Sequence, residues 1–160
     1  MKYVAVLCGI LLFSCQNIIS SRSSKSGSHS VEKAKVEVFK VDFSLVEQSS
    51  FDSIKEQAVS ENKIIFIDMY ADWCGPCKYM DANVFSKEPV AMKFNTRFVN
   101  FKVDAEDFDG FNVARKYNVR SYPTYLFLKP DGEVLYRLEG VYTVEGMLEE
   151  AKFAEELFNK

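Results

Sequence analysis

The chain has 160 residues, enough for one domain with a substantial core, and its 48% hydrophobic and 27% charged content is ordinary for a globular protein. A formal net charge of −3 gives no sign of a nucleic-acid partner. The 14 Phe and 8 Tyr point to a core built from rings rather than to a binding surface.

Lys2 followed by the apolar stretch Tyr3 to Phe13 has the charge and length of a secretory leader, too short to span a bilayer comfortably. It ends in Leu12-Phe13-Ser14-Cys15, which resembles a bacterial lipobox, where a peptidase cuts just before a cysteine that takes lipid. Residues 1–14 are therefore expected as a signal peptide and Cys15 as a lipidated N-terminus held in a membrane by its acyl chains. An ordinary secretory cleavage nearby is the alternative. Ser20 to Ser30 holds seven serines with Arg22, Lys25, Gly27 and His29, and has no apolar period. It reads as a flexible tether, so residues 15–35 form the lipidated N-terminus and spacer. The expected location is extracytoplasmic, periplasm-facing and lipid-anchored to a bacterial membrane. The alternative is a soluble periplasmic or secreted protein.

The globular domain is expected over 36–160. Val36 to Phe43 alternates imperfectly, as an edge strand would. Phe51 to Asn62 is helical, with Phe51, Ile54, Ala58 and Val59 on one face. Lys63 to Tyr70 is a near-continuous apolar run, the mark of a central strand covered on both faces. Helices are expected over Pro76–Phe85 and Pro89–Phe94, the second with Pro89 in its first turn. A strand over Phe98–Val103 and a short helix over Gly110–Tyr117 follow. The acidic run Asp104, Glu106, Asp107 and Asp109 fails the EF-hand spacing, because Phe108 falls on a ligand position, and reads as a solvated loop capping the next helix. Two strands, Thr124–Leu128 and Glu133–Leu138, flank the hairpin turn Lys129-Pro130-Asp131-Gly132. Thr143 is the N-cap of a C-terminal helix that turns Met147, Leu148, Ala151 and Leu157 inward. Strands alternating with helices and then a hairpin give an α/β class, a mixed central sheet with helices on both faces.

The chemistry centres on Trp73-Cys74-Gly75-Pro76-Cys77. Two thiols separated by two residues can close a small, reversible disulfide. Placed between an apolar strand and a helix, the first cysteine gains from the helix dipole and free N–H groups, which favour its thiolate. A thiol–disulfide oxidoreductase follows. If Cys8 leaves with the leader and Cys15 carries lipid, Cys74 and Cys77 have no other thiol to pair with. A zinc site is the poorer alternative, since four ligands are wanted and the sole histidine, His29, lies far off. An inert structural disulfide remains the other. No metal and no cofactor beyond the redox-active disulfide is expected.

The stretches Asp68-Met69-Tyr70-Ala71-Asp72-Trp73-Cys74-Gly75-Pro76-Cys77-Lys78 and Val119-Arg120-Ser121-Tyr122-Pro123-Thr124, with Asp131-Gly132 and Gly140, resemble the thioredoxin superfamily. The likeness runs from about Lys63 to about Glu156. The segment Asp68 to Cys74 with Val84-Phe85-Ser86 is more similar to thioredoxin-like lipoproteins and to the C-terminal periplasmic domain of the transmembrane thiol:disulfide interchange protein. The resemblance implies the thioredoxin fold. It implies that Cys74, exposed at the helix start, attacks and that Cys77, more buried, resolves the mixed disulfide. It makes Asp68 a buried carboxylate of raised pKa that takes the Cys77 proton. It makes Pro123 a cis-proline facing the cysteines. Trp73, covering the cleft, with Gly75, Pro76, Tyr122 and Pro123, would meet the client. Gly75-Pro76 favours the reduced, donating role.

The expected activity is reduction of protein disulfides outside the cytoplasm, by a monomer supplied with electrons by an upstream dithiol protein in the membrane. The rivals are a disulfide oxidase or isomerase for secreted proteins, and a non-enzymatic chaperone or assembly factor.

Overall fold

A computed structural model describes residues 39–160. The expected leader, Cys15, the tether and residues 36–38 lie outside these residues. The elements run β1 (Ser44–Leu45), α1 (Phe51–Glu61), β2 (Ile64–Tyr70), α2 (Gly75–Met80), a π-helical turn (Asp81–Phe85), α3 (Glu88–Arg97), β3 (Phe98–Asp104), α4 (Phe108–Lys116), β4 (Thr124–Leu128), β5 (Val134–Glu139) and α5 (Val144–Phe158).

The most apolar strand takes the middle of the sheet. The order is β1-β3-β2-β4-β5, with β1 and β2 parallel to β3, and β4 antiparallel to both β2 and β5. Alternation along β2 then divides the core. Ile64, Phe66 and Asp68 face the layer of α2, the π turn, α3 and α5, while Ile65, Ile67 and Met69 face α1 and α4. The first layer is aromatic. The Phe66 ring meets those of Phe85, Phe94, Phe98, Tyr125 and Phe127 with centroids 4.7 to 6.5 Å apart. Burying each such ring contributes about 1.5–3 kcal/mol. This is the thioredoxin fold.

Local signals set the ends. Ser50 Oγ accepts the Ser53 N–H at 3.1 Å and Thr143 Oγ1 accepts the Gly146 N–H at 3.0 Å, opening α1 and α5. Asn62 closes α1 in a left-handed conformation, φ 49°. Gly132, φ 91°, completes the hairpin turn, where its N–H meets Lys129 O at 2.8 Å.

The expected edge strand over Val36–Phe43 is not one in its described part. Only Ser44 and Leu45 pair with β3. Residues 40–42 instead lie against the aromatic layer: Val41 N–H donates to Phe85 O at 2.9 Å, Asp42 N–H to Asn95 Oδ1 at 2.8 Å, and Asn95 Nδ2 to Lys40 O at 3.0 Å. The backbone groups are satisfied by the helical layer, so no ladder is needed. The expected helix Pro76–Phe85 is α-helical only to Met80. The helices α3 and α4 are longer than expected. Val59 is exposed, leaving Ile54 and Ala58 as the buried residues of α1.

Candidate active site

The site grows from the C-terminal end of β2. After Tyr70 the chain turns through Ala71-Asp72-Trp73, with Cys74 N–H donating to Ala71 O at 2.9 Å. Cys74 is the N-cap of α2. Its extended backbone (φ −71°, ψ 102°) lets Sγ accept the Cys77 N–H at 3.1 Å. Pro76 follows in the first turn, where a missing N–H costs nothing. A Cβ on Gly75 would meet nothing within 4 Å, so this backbone faces open space.

Cys74 and Cys77 are joined as a disulfide, Cα atoms 5.3 Å apart. The sulfurs are covered alike. Cys74 is 2% and Cys77 3% exposed, with Tyr70 and Tyr122 packed against them. The expectation of an exposed Cys74 beside a more buried Cys77 does not hold for this closed pair. The asymmetry between them lies in the cap: Cys74 Sγ faces a helix N–H, and Cys77 lies within the helix.

Tyr122 precedes Pro123 through a cis peptide bond. Thr124 Oγ1 donates to Ser121 O and Gly140 N–H to Pro123 O, fixing the segment beside the disulfide. Trp73 lies largely in the open beside the segment that packs on the cysteines. It is 68% exposed, its ring edge-on to Tyr122 at 6.0 Å, and its indole N–H donates to Glu106 Oε1 at 2.9 Å. The acidic loop, expected to be merely solvated, thus supplies one carboxylate to the rim of the site. Asp104 Oδ1 accepts the Glu106 N–H within it at 2.9 Å. Asp72 and Lys78 are exposed and form no ion pair among the described residues.

Asp68 is 2% exposed on β2. Burial pushes its carboxyl above the ordinary carboxylate range, while the Lys102 ammonium pulls it back. Lys102 Nζ lies 2.5 Å from Asp68 Oδ2 and 2.7 Å from Asp81 Oδ1. Its burial opposes the charge, but the two carboxylates outweigh that and hold it protonated. Its Nζ also stands 4.7 Å from the Tyr70 ring centroid and 5.2 Å from that of Phe43. A surface cleft of about 400 Å³, lined by Val41, Phe43, Phe85, Asp81 and Lys102 among others, opens on this end of the ion pair. The π turn carries Asp81, in the type of helical irregularity that recurs at functional sites.

Lys102, Asp81 and Glu106 were not anticipated from the sequence. Lys102 had a legible signal: it is a lone charge in the apolar strand Phe98–Val103. The other two are ordinary surface acids until the fold brings them in. Among the described residues, no group of three or more His, Cys, Asp or Glu is placed to hold a metal.

A family profile described as a thioredoxin-like domain matches residues 51–155. The chain belongs to the thioredoxin-like family. The thioredoxin-like domain is similar to the solution structure of a protein proposed to be a disulphide-isomerase from Bacteroides thetaiotaomicron, at 38% identity and TM-score 0.65, covering 75% of this chain and 97% of that one. It is 40% identical over 75 residues to Thioredoxin-1 of Drosophila yakuba, covering 47% of this chain and 65% of that protein. The reduced DsbD C-terminal domain of Neisseria meningitidis shares the fold, with TM-score 0.56 at 22% identity over 71% of this chain and 98% of that one. The chain spans 65% or less of the first curated relatives it matches. The chain thus carries the family's fold with a Cys74–Cys77 disulfide at the start of α2.

Proposed function

We propose that the protein reduces disulfides of client proteins outside the cytoplasm, tethered to a bacterial membrane through a lipidated Cys15. The observation that carries the chemical part is the Cys77 N–H aimed at Cys74 Sγ at the start of α2, with Asp68 buried on β2, the strand that leads into the site. A hydrogen bond and a positive helix end favour a Cys74 thiolate in the dithiol form.

In the reducing direction the Cys74 thiolate attacks one sulfur of the client disulfide. A mixed disulfide forms and the other client sulfur leaves as thiolate. The Cys77 thiol then gives its proton to the ionised Asp68 and attacks Cys74 Sγ. The Cys74–Cys77 bond forms, the second client sulfur leaves, and two electrons have passed to the client. Asp68 returns its proton to solvent or to the departing thiolate. Tyr122, Pro123, Trp73, Gly75 and Pro76 form the surface against which the client segment lies. A second dithiol protein, in the membrane, restores the pair. The lipobox-like Leu12-Phe13-Ser14-Cys15 supports the location, and Gly75-Pro76 supports the direction.

The experiment is trapping. Cys74→Ser abolishes turnover, and Cys77→Ser accumulates mixed disulfides with extracytoplasmic proteins in cells. A Cys77→Ser protein that captures no partner overturns the client-reducing reading. The Bacteroides relative, proposed to be a disulphide-isomerase, supports a second reading, an isomerase or oxidase for secreted proteins. The potential of the Cys74–Cys77 pair against glutathione decides between the two. A value well above those of thioredoxins carries the second.

A further inference from the structure

The layer under α2, α3 and α5 is lined by Phe66, Phe85, Phe94, Phe98 and Phe127. Among them stands Tyr125, 0% exposed, whose hydroxyl has no hydrogen-bond partner among the described residues. Its ring stacks on Phe66 at 5.9 Å and meets Phe85 and Tyr142 edge-on at 5.8 and 6.3 Å. A phenylalanine would make the same ring contacts without burying a hydroxyl, a penalty when the group is unpaired. Packing alone therefore does not account for a tyrosine here.

The strand register does. Tyr125 is the direct cross-strand partner of Asp68 in the antiparallel β2–β4 pair. Side chains so paired rise from one face with Cβ atoms about 5 Å apart. Lys102 engages Asp68 Oδ2, and no donor among the described residues pairs with Oδ1. Asp68 Oδ1 is not among the buried atoms left without a partner, so it keeps some contact with solvent, and an unpartnered donor thus neighbours an acceptor that water can reach. Buried polar groups in this relation are commonly joined by one water.

We propose that Tyr125 is a positioning residue for Asp68: its hydroxyl donates, through one bridging water, to the Asp68 carboxylate and so sets the pH at which Asp68 takes up the Cys77 proton. This rests on the reading of Asp68 as the acceptor of that proton. The groups facing Tyr125 are Asp68 on β2, Asp81 on the π turn and Tyr142 before α5, with Lys102 on β3 beyond Asp68. Burial, then the charges of Asp68 and Asp81, raise the Tyr125 phenol far above its ordinary value, so it remains a donor across the working range. A donor to the ionised carboxylate favours that form and lowers its proton affinity.

The test isolates the step. The Cys74 mixed disulfide with 5-thio-2-nitrobenzoate is prepared on the reduced protein, and release of the coloured thiolate by Cys77 is followed against pH. Wild type, Tyr125→Phe, Asp68→Asn and the double variant are compared. The expected result for Tyr125→Phe is a midpoint moved to higher pH and release about three- to tenfold slower on the rising limb, the net worth of one ordinary hydrogen bond. The high-pH plateau is unchanged, thermal stability does not fall, and the substitution adds nothing in the Asp68→Asn background. If Asp68→Asn flattens the profile but Tyr125→Phe superimposes on wild type, the tyrosine proposal is overturned and the Asp68 reading stands. It is overturned also if release slows equally at every pH, or if the effect persists without Asp68. If Asp68→Asn keeps the wild-type profile, the Asp68 reading falls as well.

Discussion

Asp68 and Lys102 stand directly opposite one another across the parallel pair β2–β3, and their side chains meet at 2.5 Å with 3% and 13% of their surfaces exposed. The carboxylate has little water to stabilise its charge, and one cation does most of that work. Lys102 in turn carries Asp81 on its solvent side. The three side chains form a graded sequence of charges, from the buried Asp68 to the half-exposed Asp81.

The buried carboxylate gives stability a pH dependence. Its folded value is raised by burial, with Lys102 opposing. The folded state therefore holds this proton more tightly than the unfolded chain does. The contribution is fully present below the ordinary carboxylate range and is lost as pH rises through the folded value. Urea unfolding of wild type and Asp68→Asn across pH is expected to show wild type losing stability relative to the variant as pH rises. Parallel curves would contradict this assignment.

Removing the cation acts differently from removing its outer partner. Lys102→Met leaves a buried carboxylate uncompensated and is expected to cost about 3 kcal/mol at neutral pH in guanidinium unfolding. Asp81→Asn breaks a contact whose carboxylate is 44% exposed. It is expected to cost no more than about 1 kcal/mol. Equal losses would mean that the ion pair is not divided between a dry and a wet end.

Gly110 marks a close approach. A Cβ there would lie 1.7 Å from Asp104 O. Helix propensity favours alanine by about 1 kcal/mol, but collision with backbone outweighs it. Gly110→Ala is expected to destabilise by about 2 kcal/mol net in chemical denaturation, by pushing α4 away from the end of β3. A stabilised variant would show that the two elements are free to part.

Trp73 is the sole tryptophan, so its emission reports one place. Glu106→Ala removes the acceptor of its indole N–H. Fluorescence anisotropy is expected to fall, while global stability changes by less than about 0.5 kcal/mol. Unchanged anisotropy would show that the Tyr122 ring alone holds the indole.

Much of this was legible in the residues because it depends on strong local signals. The run Ile64–Tyr70 is too apolar to be anything but an inner strand, and Lys129-Pro130-Asp131-Gly132 permits little except a tight turn. Trp73-Cys74-Gly75-Pro76-Cys77 announces its chemistry directly, and Asp68 stands out as a charge in that inner strand. What escaped was set by distance along the chain. Asp81 meets Lys102 where α2 widens into a π turn, and no proline or glycine marks that change. Glu106 reaches Trp73 across 33 positions. The segment 39–43 has a strand's alternation, yet Asn95 and the Phe85 carbonyl take its backbone bonds. The significance of Tyr125 depends on a register that periodicity alone does not fix.

The near-complete enclosure of both sulfurs has a kinetic corollary. A small thiol diffusing in from solution meets tyrosine rings before it meets the bond, whereas a protein that can press those rings aside meets the bond itself. Opening the oxidised pair therefore requires the Tyr70 and Tyr122 rings to move first.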